Sequence, residues 1–464
     1  MEPIKKLVVY GQKEINEEGA IVYNLQSSNR DVSNQHEIEL EKNDKLLELI
    51  LVDGTSWMCD ASTMHEVFPE LDPALKSSGN RDNQVEVFVL PDSIEAPATE
   101  RGIIGKIALK LLKVFAKKAL GVGVVALSRK LEDKNLQNQI HADVLPKDFL
   151  NEGAALYTVD SDFKFGTFDG KPSNNPFFLF IHGTNSDTFG AFQDLKATPA
   201  WNTMHQIYGG NVLAFQHRTL TESPLLNVVK LAQALPDNSV VYLLTHSRGG
   251  IVGDILNKYS STNNEASLGF NSDHISYLEK EGDRQDDIKN IETLNRIFKK
   301  KKITVAKFIR VGCPAAGTKL ASKRLDHILN VFFNLVGLVG GPFGDILKEL
   351  LSAAVESKDD VAVLPGLEAQ RPESPFIKIL NDPSLETAID GKPLAIISGN
   401  GRVSFSGQGL FVILGKLFYW QRNDLVVNTY SMYLGVRRKD TIQYFFDQGA
   451  EVNHVKYFEN DKTR

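Results

Sequence analysis

A strand that runs straight into a tight turn and then a helix is the feature that most constrains the fold of this chain. The strand is predicted at Val240–Leu244, an uninterrupted apolar run, and the turn at Thr245–Gly250 ends in two adjacent glycines. Strand-length apolar runs alternate with helical stretches from about Leu156 onward; the other strand candidates are 177–181, 211–215, 305–311 and 394–398. This alternation predicts an α/β fold with a mostly parallel central sheet covered by helices on both faces.

Ser247 lies at the centre of the turn, in the position of a nucleophile elbow. Such an elbow holds a serine above the sheet on a strained turn, and small neighbours let the backbone of the next helix pass close by. The common pattern is Gly-x-Ser-x-Gly, and here Thr245 replaces the first glycine while Gly249 keeps the second. We expect His246 to support the elbow as a buried, hydrogen-bonded turn residue. The alternative is that Ser247 is an ordinary helix N-cap.

A serine hydroxyl needs a base before it can attack a substrate, so Ser247 predicts chemistry only with partners. In the elbow-bearing hydrolases the nucleophile, the acid and the histidine follow one another in that order along the chain. Asp424 follows the strand candidate at 394–398, and His454 follows the last strand candidate, at 441–446. We therefore expect His454 to be the general base and Asp424 the supporting acid.

Other residues compete for these two roles. Asp440 and Asp447 are the alternatives to Asp424, but they flank a different strand candidate. His454 has weaker competitors, since His217 follows an early strand and His327 lies in an apolar insertion.

A second turn, His182-Gly183-Thr184, follows the apolar run at 177–181 and predicts half of an oxyanion hole. The donors would be the backbone N–H groups of Thr184 and of Arg248, the residue after the nucleophile. His182 and Gly183 are expected to shape the turn.

Four segments together resemble the lipase-like α/β-hydrolases, a group that includes triacylglycerol lipases, phospholipases and GPI-inositol deacylase-like proteins. These segments are 215–224, the elbow at 245–250, 311–318 and 423–427. The resemblance covers about residues 155–464 and implies an α/β-hydrolase fold and ester cleavage through an acyl-enzyme, without a metal or cofactor. We expect a carboxylic ester as substrate, with lipid or phospholipid acyl esters favoured. The alternatives are a thioesterase or acyltransferase, and a catalytically silent interaction module with a relaxed elbow.

The first third of the chain has a different pattern. Residues 1–97 contain short apolar runs between turn clusters, which predicts a small β-rich accessory domain. Residues 98–154 are interpreted as a helix over 102–131 and a linker, because four lysines fall at helical spacings, at positions 106, 110, 113 and 117. Such a helix could contact an anionic membrane surface, although a helix packed on the protein is the favoured alternative.

An apolar, glycine-bearing insertion at 325–355 leaves two interpretations open. It is either a mobile lid of the kind that lipases carry, or a hairpin of packed helices.

Charge and cysteine content exclude several classes of protein. The formal net charge is −6 and the pI about 6.0, which argues against nucleic acid as a partner. Cys59 and Cys313 are the two cysteines, far apart, which argues against a disulfide scaffold and suits a reducing cytosol. The first residues lack a signal-peptide pattern, and no apolar run reaches membrane-spanning length. We therefore expect a cytoplasmic protein, and the sequence does not indicate its oligomeric state.

Overall fold

The computed structural model forms two compact units. The first comprises Met1–Val124, Arg324–Asp359 and Val403–Gln421, and the second comprises Val125–Lys323, Asp360–Arg402 and Arg422–Arg464. The residues that the structure describes are 4–15, 20–25, 34–68, 71, 87–95, 106–117, 123–138, 153–260, 269–336, 344–358, 360–381, 393–401, 409–410, 413, 422–436, 442–449 and 452–463.

The strands, in chain order, are β1 (Lys6–Tyr10), β2 (Gln12–Ile15), β3 (Ile21–Asn24), β4 (Gln35–Glu39), β5 (Lys45–Leu51), β6 (Ser56–Asp60), β7 (Val87–Val89), β8 (Ser93–Glu95), β9 (Lys106–Ala116), β10 (Ala154–Val159), β11 (Phe165–Thr167), β12 (Phe177–Ile181), β13 (Val212–His217), β14 (Ser239–His246), β15 (Ile303–Val311), β16 (Leu394–Gly401) and β17 (Ile442–Gly449).

The α-helices, in the same order, are α1 (Met64–Val67), α2 (Val124–Asn138), α3 (Thr188–Phe192), α4 (Pro199–Tyr208), α5 (Pro224–Ala234), α6 (Gly249–Lys258), α7 (Ser272–Lys280), α8 (Gln285–Lys300), α9 (Leu325–Val336), α10 (Gly344–Ser357), α11 (Pro365–Glu368), α12 (Pro375–Asn381) and α13 (Thr429–Tyr433).

The second unit is built on an eight-stranded sheet with the order β11-β10-β13-β12-β14-β15-β16-β17. The six strands from β13 to β17 in this order are parallel, whereas β10 and β11 are antiparallel at one edge. Helices α3 to α8 lie between successive strands of this sheet. The arrangement is an α/β-hydrolase fold, which confirms the fold class predicted from the alternation of strands and helices.

The central strand β12 shows why both faces of this sheet are covered. Its side chains alternate between two apolar cores. Leu179 packs with Val228 of α5 and Ile255 of α6, whereas Phe180 packs on the opposite face with Trp201 of α4. Because β12, β14, β15 and β16 run parallel, the loops that follow them emerge at the same edge of the sheet, where such folds place their sites.

The first unit is β-rich, as the sequence predicted. It contains a three-stranded sheet with the order β4-β1-β7 and a sheet with the order β2-β3-β9-β5-β6, in which β8 also pairs with β9.

The helix predicted over 102–131 is wrong for its central part, because Lys106–Ala116 is strand β9, paired on both sides by β3 and β5. The pairing with β5 skips Lys110, so an irregularity of one residue interrupts the strand there. Ile107 and Leu109 are buried before it and Leu112 after it, so the buried face changes from odd to even positions. In a regular strand the exposed side chains recur every two residues. The one-residue bulge shifts this pattern, so the lysines fall at spacings of four, three and four, which are also typical of a helix.

Lys113 of this strand lies 3.5 Å from Glu48, and Lys117, the residue that follows the strand, lies 2.8 Å from Asp60; both acids belong to the first unit. The helical stripe of lysines on which the expected membrane contact rested is therefore not formed over residues 106–117, and the membrane contact stays a prediction. Residues 102–105 and 118–122, and the linker at 139–152, lie outside the described residues. Among the described helices, none combines the length and apolar character needed to cross a membrane.

The insertion at 325–355 contributes helices α9 and α10 to the first unit. The side chain of Asn330 in α9 accepts from Met58 N at 2.8 Å and donates to Met58 O at 3.0 Å, which satisfies the backbone of β6. Asn334, one turn later, accepts in the same way from Ser56 N at 2.8 Å. The predicted domain of 155–464 therefore differs from the division into compact units, because the second unit begins at Val125 and the segment Arg324–Asp359 belongs to the first. A lid role stays a prediction, and residues 337–343 lie outside the described residues.

Candidate active site

The elbow predicted around Ser247 is present between β14 and α6. Ser247 has a φ of 53°, in the left-handed region that is strained for any residue except glycine. Its N–H donates to Val311 O at 2.9 Å and its carbonyl accepts from Gly250 N at 2.8 Å. These two bonds hold the serine on the sharp turn, so the strain is supported by the neighbouring strand and helix.

Glycines around the elbow let the helix and the strands approach one another. A Cβ on Gly249 would lie 2.7 Å from His182 O, which leaves no room for a side chain. A Cβ on Gly253 would lie 3.2 Å from the methyl group of Thr245. The missing side chain of Gly253 thus leaves space for Thr245 and for the ring of Phe308, whose Cζ would lie 2.6 Å from that Cβ.

The three residues predicted as nucleophile, base and acid form one hydrogen-bonded relay. Ser247 Oγ lies 2.7 Å from His454 Nε2, and His454 Nδ1 lies 2.8 Å from Asp424 Oδ2. All three side chains are buried, with exposed fractions of 4%, 2% and 0% respectively. The geometry is that of a serine hydroxyl placed to give its proton to an imidazole that a carboxylate orients.

Asp424 is held by its own turn. Its Oδ1 accepts from Val426 N at 3.1 Å and Val427 N at 2.8 Å. Burial acts to raise the pKa of Asp424, but the His454 imidazole, together with the Val427 N–H and the Tyr457 hydroxyl, outweighs it and lowers the pKa below its ordinary value. Its competitor Asp447 instead accepts from Asn460, and Asp440 lies outside the described residues.

Tyr457 contacts the acid of the relay, and the sequence analysis did not predict this contact. Its hydroxyl donates to Asp424 Oδ2 at 2.9 Å, the same oxygen that faces His454. Two glycines make room for its ring: a Cβ on Gly312 would lie 2.7 Å from Tyr457 Cε2, and one on Gly399 would lie 2.5 Å from its hydroxyl. No motif marks this residue, and its only signal is its position three residues after His454.

We expect Tyr457→Phe to destabilise the protein by about 1–2 kcal/mol at pH 7, because a buried carboxylate loses a donor. Since the pKa of Asp424 is lowered by folding, its contribution is fully present above the ordinary carboxyl pKa of about 4 and disappears as the pH falls through the lower folded value. The destabilisation should therefore shrink below pH 4. Urea unfolding at pH 7 and at pH 3 would measure it, and an equal loss at both pH values would contradict this role.

His246 and His182 support the relay through backbone contacts. His246 Nε2 lies 2.7 Å from His454 O, and burial lowers the pKa of His246 to about 3, so the neutral ring donates to that carbonyl. His182 Nδ1 lies 3.1 Å from Gly183 O, and His182 Nε2 accepts from His217 N at 3.3 Å. Burial lowers the pKa of His182 to about 3 as well. Both rings are therefore neutral, and each makes hydrogen bonds to backbone groups around the site.

The His182-Gly183-Thr184 turn passes close to the elbow. A Cβ on Gly183 would lie 2.6 Å from Ser247 Cβ and 3.1 Å from its Oγ, so only glycine fits. Thr184 and Arg248 are both buried, and neither backbone N–H has a hydrogen-bond acceptor among the described residues. The turn is thus positioned beside the serine oxygen, and within the described part of the chain no acceptor engages these two N–H groups.

The loop before α5, part of the 215–224 segment, is held by a buried acid. Glu132 of α2 accepts from the backbone N–H groups of Leu220 at 2.5 Å and Thr221 at 3.2 Å, and also from that of Thr219. Burial raises the pKa of Glu132 despite these donors. Glu132 therefore holds the backbone of residues 219–221 in place.

A family model described as Domain of unknown function (DUF7379) matches residues 149–275 and 290–464. No curated protein matched the chain.

Similar solved structures include two lipases and a protein named EstA. The lipase BlEst2 of Bacillus licheniformis, in mature form, is 16% identical, with 63% of this chain and 91% of that chain covered and a TM-score of 0.27. EstA from Clostridium botulinum is 12% identical, with 74% and 96% covered and a TM-score of 0.37. Lipase 1 from Pelosinus fermentans is 14% identical, with 61% and 93% covered and a TM-score of 0.35. Similarity at this level carries no information about the substrate.

Proposed function

We propose that this chain, which belongs to the DUF7379 family, is a serine hydrolase of carboxylic esters. The observation that carries the proposal is the unbroken relay from Ser247 through His454 to Asp424, with the serine on a left-handed turn. An ordinary N-cap serine needs neither an imidazole at 2.7 Å nor a strained φ.

In the first half of the reaction, Ser247 Oγ attacks the carbonyl carbon of the ester while His454 Nε2 takes the hydroxyl proton. Asp424 stabilises the resulting imidazolium through the bond at 2.8 Å. The tetrahedral intermediate collapses, the C–O bond to the alcohol breaks, and the imidazolium returns the proton to the departing oxygen. The product is an acyl-enzyme on Ser247.

Water resolves the acyl-enzyme by the same steps. His454 removes a proton from water as the water oxygen bonds to the acyl carbon, and the proton then returns to Ser247 Oγ as the acid leaves. In both halves the negative charge on the carbonyl oxygen needs donors, and the backbone N–H groups of Thr184 and Arg248 are our candidates. Loss of one such donor typically costs about 3 kcal/mol of transition-state stabilisation.

Labelling with a fluorophosphonate tests the proposal directly. We expect a covalent adduct at Ser247, identified by peptide mass spectrometry, together with hydrolysis of nitrophenyl esters. Failure of both would favour the alternative, a catalytically silent module, and an adduct at another serine would remove Ser247 as the nucleophile.

Within this class, we propose acyl esters of lipids or phospholipids as substrates. Release of fatty acid from phosphatidylcholine vesicles, compared with release from short nitrophenyl esters, would test this preference. Faster cleavage of an acyl thioester, or transfer of the acyl group to an added alcohol, would instead identify a thioesterase or an acyltransferase.

A further inference from the structure

Gln370 binds the side chain of Thr184, one of the two proposed oxyanion residues. It follows α11, is 4% exposed, and was not singled out by the sequence. The Thr184 hydroxyl lies 3.2 Å from Gln370 Oε1, to which it donates, and 3.0 Å from Gln370 Nε2, from which it accepts. The Gln370 amide thus makes two hydrogen bonds with the Thr184 hydroxyl.

The carbonyl of Gly366 joins this pair to the other proposed oxyanion residue. Gly366 O accepts from Gln370 Nε2 at 2.9 Å and from Arg248 Nε at 3.2 Å. One backbone oxygen is therefore the shared acceptor for groups that hold Thr184 and Arg248.

The surroundings keep this carbonyl in place. Gly366 N donates to Leu220 O at 2.9 Å, and a Cβ on Gly366 would lie 2.6 Å from the carbonyl carbon of Thr219. The Arg248 guanidinium is fixed at its other end by Glu222 O at 2.7 Å. Burial lowers the pKa of Arg248 to about 10, which still leaves it charged at neutral pH.

We infer that Gln370 is a positioning residue that sets the spacing of the two oxyanion donors, because it ties Thr184 to the carbonyl that also accepts from Arg248. The inference rests on the proposed ester hydrolysis and extends it to the control of oxyanion geometry. Gln370 acts through Thr184, whose backbone N–H would touch the reacting oxygen. Small displacements matter here, since misplacing a group by 1 Å can cost about 100-fold in rate.

The test replaces Gln370 by methionine, which keeps the length of the side chain and removes both polar atoms. We expect kcat for a nitrophenyl ester to fall about 10- to 100-fold with KM unchanged, because donors of this kind act in the transition state. An alkyl trifluoromethyl ketone, which forms a tetrahedral oxyanion on the serine, should bind more weakly by the same factor.

Substitutions of Thr184 test the same hydrogen bond with Gln370 from its other partner. Thr184→Val should reproduce the loss, Thr184→Ser should retain activity because it keeps the hydroxyl, and Thr184→Val with Gln370→Met should be no worse than either change alone. Asn295→Leu is the matched control, since Asn295 donates to Phe270 O at 3.0 Å within the same unit and far along the chain from these residues. It should lower the melting temperature without changing kcat.

Unchanged kcat and unchanged ketone affinity in folded Gln370→Met and Thr184→Val, with an active wild type, would overturn this inference alone. A wild type that neither cleaves esters nor reacts with the fluorophosphonate would overturn the proposed function, and this inference with it.

Discussion

Replacing Ser247 by alanine is expected to lower kcat/KM for ester hydrolysis by about 10⁵- to 10⁶-fold. A triad that loses its nucleophile typically retains only the contribution of binding and of the oxyanion donors. The wild-type bond from Ser247 Oγ to His454 Nε2, at 2.7 Å, has no counterpart in the variant. Steady-state hydrolysis of a nitrophenyl ester measures the loss, and the fluorophosphonate adduct should disappear with it.

Two companion variants separate chemistry from folding. Ser239→Ala removes the hydroxyl at the other end of the same strand, where Ser239 Oγ donates to Pro236 O at 2.6 Å, and should leave kcat unchanged. Ser247→Gly should be as inactive as the alanine variant but melt at a higher temperature than it, because glycine adopts the φ of 53° without strain. Substantial activity in Ser247→Ala would remove this serine from the mechanism.

The elbow and the order of the relay could be predicted because they are local or depend on chain order alone. The apolar strand, the turn and the glycines after Ser247 lie within about a dozen residues, so the local sequence is enough to predict the geometry of the elbow. His454 and Asp424 are distant in sequence, but each follows a parallel strand, and parallel strands bring their following loops to one edge. The local elbow and the parallel strands together bring the three side chains within the observed distances of 2.7 and 2.8 Å.

Tyr457 and Gln370 could not be predicted in the same way. The Tyr457 hydroxyl reaches an aspartate 33 positions away, and Gln370 reaches a threonine 186 positions away. Neither contact follows from a motif or from strand order, because each depends on glycines or carbonyls contributed by a third segment. Such supporting residues become visible only when the side chains are placed.

The wrong helix at 102–131 has a different cause. A bulge at Lys110 moves the buried face of β9 by one position, and a strand with one such shift has the same lysine spacing as a helix. A bulged strand differs from a helix in forming hydrogen bonds to neighbouring strands, and those neighbours cannot be identified from the spacing of the lysines.

Asp424→Asn is expected to lower kcat by about 10⁴-fold, the second large effect. The equivalent substitution in a serine-protease triad has this magnitude, because the amide favours the wrong tautomer of the histidine and cannot stabilise the imidazolium. In this chain the amide would also face the Tyr457 hydroxyl and the Val427 N–H, which now donate to a carboxylate at 2.9 and 2.8 Å. The rate of fluorophosphonate labelling should fall in parallel.

The control is the competing aspartate. Asp447 is also buried and lies closer to His454 along the chain, but it pairs with Lys462 at 3.1 Å and with Asn460. Asp447→Asn should therefore cost stability and leave kcat close to that of the wild type. An equal loss in both variants would mean that charge near the site, and not the bond to His454 Nδ1, is what the reaction needs. If Asp424→Asn alone is inactive while still folded, the carboxylate acts through the imidazole it orients, and the order of the relay is established by chemistry as well as by distance.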